Sequence, residues 1–136
     1  MTSDLARTLS DRLADRFGDA LRSVGHYDAD GGEFVFVRED VDAEYDASDR
    51  TRVFRHLRLE ALDRPNEESL FTHGRLEATV RCFERAIEFH VAVSETAGLV
   101  ASVDAGEIGE LRESVDCCLD VAAGGDGAVD RAGDDE

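Results

Sequence analysis

Over residues 76–82 apolar and polar side chains alternate without a break, with Leu76, Ala78, Val80 and Cys82 on one side and Glu77, Thr79 and Arg81 on the other. Alternation resumes at Ile87, Phe89, Val91 and Val93, after Glu84 and Arg85. A period of two marks extended chain with one covered face, because successive strand side chains point to opposite sides. Strands joined by so short a link pair antiparallel, since a parallel pair needs a crossover of about a dozen residues. A third apolar run over 99–103 follows a turn at 94–98, so the three form a meander.

Upstream the period changes. Leu5, Leu9, Leu13 and Phe17 recur every four residues, which predicts a helix that Ser3 caps and Gly18 ends. Strands over 20–27 and 33–38 follow, joined by Asp28, Ala29, Asp30, Gly31 and Gly32, a hairpin turn by composition. Phe34, Val35, Phe36 and Val37 are continuously apolar, which predicts a strand covered on both faces. A short turn over 42–45 precedes a second long helix. That helix opens at Ser48 or Asp49, carries Val53, Phe54, Leu57 and Ala61 on one side, and breaks at Pro65.

Asp104, three residues before Glu107, gives a capping-box-like start to a last helix striped by Ile108, Leu111, Val115, Cys118, Leu119 and Ala122. The expected fold is therefore α+β, a five-stranded antiparallel sheet with flanking helices in the order α-β-β-α-β-β-β-α. Residues 1–123 form a single domain, and 124–136, almost all Gly, Ala and Asp, a disordered acidic tail.

The chain carries 32 acidic against 15 basic residues, a formal net charge of −17. Every basic residue is Arg, Lys and Gln are absent, and Asn66 is the only asparagine. In dilute buffer such a charge opposes compaction, whereas at molar salt the screening length falls to roughly 3 Å and the repulsion fades. The composition therefore fits a hydrated surface in a salt-adapted cell better than an acidic mimic of nucleic acid. No run approaches the roughly 18 apolar residues of a membrane span, and no basic-then-apolar leader opens the chain, so a cytoplasmic protein off the membrane is expected.

Motifs for chemistry are sparse. Cys82, Cys117 and Cys118 are too irregularly spaced for zinc or a disulfide framework, and they read as reduced, mostly buried packing residues. A metal site would need two or three of His26, His56, His73 and His90 to converge, with His26 and His90 facing one another across the sheet. No Gly-x-Ser-x-Gly elbow, P-loop or dinucleotide fingerprint is present. No catalytic, metal or cofactor-binding residue is assigned, and no cofactor is expected.

Segment 49–64 stands apart. Arg50, Arg52, Arg55, Arg58 and Arg64 there meet only Asp49, Glu60 and Asp63, and Arg52, Arg55 and Arg58 step by three along the second helix. A guanidinium stripe suits an acidic protein partner, against the plainer reading of pairing with this chain's own acids. High salt removes most of the phosphate-contact term, and no aromatic stacking array is present, which argues against nucleic acid. Phe83, on the polar side of its strand, is a second candidate contact, for a partner or for a homodimer.

The order of elements resembles the roadblock/LC7 fold, and more loosely profilin-like and PAS-like sensor domains. That likeness implies a noncatalytic dimeric scaffold or a regulator of small GTPases. The strings Leu57-Arg58-Leu59-Glu60, Thr72-His73-Gly74, Val93-Ser94-Glu95-Thr96 and Cys117-Cys118-Leu119 resemble an uncharacterised haloarchaeal domain family with no assigned activity. The function expected is a noncatalytic regulatory or scaffolding interaction module that dimerises. A PAS-like small-molecule sensor, the alternative, requires a pocket between the sheet and a helix. A small enzyme using His73 or His90 requires a cleft bringing a carboxylate within hydrogen-bond reach.

Overall fold

A computed structural model of the chain, described over residues 2–124 and without the side chains of 113–116, opens with helix α1 (Thr2–Phe17). Strands β1 (Leu21–Asp28) and β2 (Gly31–Val37), a short α2 (Glu39–Asp42) and a long α3 (Ala47–Leu70) follow. Strands β3 (Thr79–Cys82), β4 (Ala86–Ala92) and β5 (Gly98–Asp104) lead to α4 (Gly109–Ala122). The sheet is antiparallel throughout, in the order β2-β1-β5-β4-β3, so the expected meander is present and β1 pairs with its last strand.

Each face of the sheet is covered by a different helix. Against α1 the buried core is Ala6, Leu21, Val24, Ile87, Ala101 and Val103, with Leu9, Leu13 and Phe17 packed at its edge. Against α3 it is Tyr27, Phe54, Leu57, Ala61 and Val100. Burying each of these larger side chains contributes roughly 1.5–3 kcal/mol, so the cores, and not helix propensity, hold the layers.

Several local expectations give way. Helix α1 begins at Thr2, which places Ser3 inside it, and its buried stripe runs through Thr2 and Ala6, leaving Leu5 exposed. Gly18 ends it in a left-handed conformation (φ +56°) as predicted. Strand β2 is a sheet edge whose two faces are both partly covered as predicted, Phe34 on the α3 side and Val35 on the α1 side, while Phe36 is exposed. Helix α3 starts slightly earlier, at Ala47 after the cap Asp46, whose carboxylate accepts the Asp49 amide while Asp49 reciprocates.

Pro65 does not end α3, which continues to Leu70. The segment around it is anchored by Arg64, which donates to the Ala92 carbonyl, and by Glu68, which accepts the Leu76 amide at 2.8 Å. That tether also keeps 76–78 out of β3. Asp104 caps no helix; its carboxylate accepts both Arg38 Nη groups at 2.9 and 3.0 Å, and Arg22 at 3.4 Å. The expected α4 stripe is largely uncovered, with Cys117, Cys118 and Leu119 exposed, contrary to the expectation of buried cysteines. Val115 of that stripe, and the acidic tail beyond Gly124, lie outside the described residues.

Candidate functional site

Between the N-terminal half of α3 and the sheet lies a cleft of about 1000 Å³. Its floor is strand surface, where the hydroxyls of Ser23 and Ser102 meet at 2.6 Å across the β1–β5 pair. One wall is α3, with Val53 and Leu57; α2 and the β3–β4 turn close the ends. Small serines leave room on the floor, whereas beside them Phe54 and Phe34 meet at a tilt, 4.9 Å between centroids, and fill the gap.

Five arginines line this space: Arg22, Arg50, Arg52, Arg81 and Arg85. Arg22 reaches Asp104 and Glu44, Arg50 pairs with Asp42, and Arg81 bridges Glu60 and Glu88. The guanidiniums of Arg52 and Arg85 have no hydrogen-bond or ion-pair partner among the described residues.

Beneath the cleft runs a chain of hydrogen bonds. Tyr27 Oη lies 2.6 Å from His90 Nε2, and His90 Nδ1 lies 2.5 Å from Glu60 Oε1. Arg81 donates to Glu60 and, at 2.8 Å, to Glu88, and touches His56 at 3.1 Å. Burial of His90, helped by the Arg81 charge, pushes its pKa down to about 4, and burial pushes the Tyr27 phenol up to about 12. A neutral imidazole beside a protonated phenol assigns every proton: Tyr27 donates to Nε2, and Nδ1–H donates to the Glu60 carboxylate. Both ring nitrogens are engaged, and His90 is only 3% exposed.

Of the residues singled out in the sequence, Arg52 and Phe83 line the cleft together. Arg58 donates to the Ala29 carbonyl at 2.9 Å, and Arg55 projects from α3 away from the lining. His26 does not face His90: it sits on the α1 side, near Thr2 Oγ1 at 2.9 Å and Glu33 at 3.1 Å. His73 stacks on Phe71 beyond α3. Among the described residues no group of three His, Cys, Asp or Glu is arranged to hold a metal ion, and no helix is long and apolar enough to cross a membrane.

Sequence reasoning missed Glu60, Arg81 and Tyr27. The available signal was positional: Glu60 follows Leu57 by three on α3 and so shares its inward side, where a carboxylate has to find partners.

Comparison with known protein families matches residues 7–123 to a domain of unknown function (DUF7522). No curated protein and no solved structure matches the chain.

Proposed function

As the chain belongs to the DUF7522 family, which passes on no activity, we propose from its own side chains that it is a noncatalytic regulatory module sensing a small molecule between α3 and the sheet. The cleft of about 1000 Å³ carries this reading. Its size is at the upper end of small-molecule sites, and its lining is more charged than theirs usually is, with five arginines and five acids among apolar side chains such as Phe34, Val53 and Leu57. The position of the cleft is the one a PAS-like sensor requires. A catalytic role for His90 has less support, since neither ring nitrogen is open to a substrate proton. Neighbouring acids are themselves bound by arginine, and the setting we propose is a salt-rich cytoplasm with a roadblock-like arrangement of elements.

The test is fluorescence titration with the neutral probe N-phenyl-1-naphthylamine in about molar KCl, on the wild type and on Val53→Trp, which fills the wall of the cleft. Saturable binding that Val53→Trp abolishes, with unchanged far-ultraviolet circular dichroism, supports the reading. Absence of binding, or equal binding to the filled variant, overturns it.

A second reading is scaffolding through self-association, with a homodimer or an acidic protein partner. One observation favours the homodimer: an apolar groove of about 400 Å³ between α1 and β4 runs out to exposed Val91, while α4 exposes Leu119 and Val121. Light scattering after size exclusion in about molar KCl is expected to give a dimer mass that Val91→Asp reduces to a monomer. A monomeric wild type removes this reading, and Arg55→Glu and Phe83→Asp then address the acidic partner by pull-down.

A further inference from the structure

Five acids also line the cleft: Asp40, Glu44, Asp49, Glu84 and Glu88. Four have partners. Arg38 holds Asp40 in a fork at 2.7 and 3.1 Å, and Arg22 lies 3.8 Å from Glu44. Asp49 accepts the Asp46 amide at 3.0 Å in the capping box, and Glu88 accepts from Arg81 at 2.8 Å.

What remains without a partner among the described residues is Glu84 against two guanidiniums, Arg52 on the α3 wall and Arg85 in the β3–β4 turn. Arg12, Arg55 and Arg75 also lack a side-chain partner among the described residues, each on open surface, and Arg52 and Arg85 differ from them in lining one cleft. Arg50 meanwhile lies over the Phe34 ring at 5.7 Å, giving the cleft an apolar, cation-topped end. The Ser23–Ser102 hydroxyl pair, with one proton used in its own bond, adds one donor on the floor.

Resting on the sensor reading above, we infer that the cleft takes a small organic anion: an apolar body lying against Val53 and Phe34, with a carboxylate, sulfonate or phosphate group gripped between Arg52 and Arg85. Guanidinium recognises these oxyanions through paired N–H donors, an interaction of short range that survives the salt which screens the net charge. Glu84, beside Arg85, sets selectivity against groups of higher negative charge.

Two probes of nearly the same shape separate the inference from the reading beneath it. 1-Anilinonaphthalene-8-sulfonate carries one anionic group, and N-phenyl-1-naphthylamine is its neutral counterpart. In about molar KCl, where the repulsion of the net charge is screened, the sulfonate is expected to bind at least tenfold more tightly than the neutral probe. Arg52→Ala with Arg85→Gln is expected to remove that tenfold preference while leaving the neutral probe unchanged. Both side chains are exposed, so folding is retained, and circular dichroism confirms it; the single Arg85→Gln variant serves if the pair is unstable.

Equal affinities for the two probes, or a preference that survives the arginine substitutions, overturn the anion inference while leaving the sensor reading intact. If the neutral probe does not bind, or Val53→Trp leaves its signal in place, the sensor reading falls and the inference with it.

Discussion

The two faces of the sheet are closed by different means. On the α1 side six buried apolar residues meet with no charged partner among them, and polarity enters only at the margin, where Thr2 and His26 pair. On the α3 side a smaller apolar cluster sits beside a chain of hydrogen bonds from Tyr27 through His90 and Glu60 to Arg81, and beyond it the layers part into a cleft. An apolar face needs volume and little else, so its stability is indifferent to protons. A face closed by partnered polar groups depends on each partner's protonation, and so responds to its surroundings.

The largest expected effect tests the dry face. Ile87 is fully buried in the α1-side core, and Ile87→Ala removes its branched side chain and leaves a cavity, at a cost of about 3 kcal/mol. Chemical denaturation in about molar KCl measures this, and the loss is expected to be the same at pH 7.5 and pH 5. A loss that changes with pH would break the contrast between the faces.

The next effect belongs to the polar face. His90 ionises at about 4 in the folded protein against 6.5 for a free imidazole. Between those values the unfolded chain binds the proton and the folded chain does not, so stability falls as pH drops through this window. The expected loss is on the order of 3 kcal/mol for a shift of this size. His90→Gln, which cannot take up the proton, should flatten the slope between pH 6.5 and 4; an unchanged slope would assign the effect to other groups. Asp104, held below the usual carboxylate range by Arg38 hydrogen bonds, loses its contribution only below about 3.8, under this window.

What the sequence made legible follows the same division. Alternation at Ile87, Phe89 and Val91 predicted strands, a meander and an apolar face, and these stand in β4 and its neighbours because burial on one side is what period two encodes. The polar face carries no such period. Glu60, Tyr27 and His90 lie far apart in the chain, and each has an ordinary surface reading until the register of β1, β5 and β4 brings them together. Local signals also failed where tertiary contacts outweighed them. Pro65 signals a stop, but Arg64 and Glu68 hold the helix through it. Spacing by three suggests one arginine surface, yet Arg52 faces the cleft while Arg58 reaches the β1–β2 turn, because residues three apart on a helix drift around it.

That last separation yields the smallest expected effect. Arg58 makes one hydrogen bond to the Ala29 carbonyl, near solvent, and both groups find water when it is broken, so Arg58→Ala should cost less than about 1 kcal/mol at any pH between 5 and 8. Arg52→Ala, with no partner to lose among the described residues, should leave the free protein's stability unchanged. The two substitutions then differ only when a ligand is added. If thermal unfolding in the presence of 1-anilinonaphthalene-8-sulfonate shifts for Arg58→Ala as it does for the wild type but fails to shift for Arg52→Ala, the stripe divides into a structural and a binding arginine. Equal shifts would return both to the same exposed helix surface and confine the polar face's response to His90.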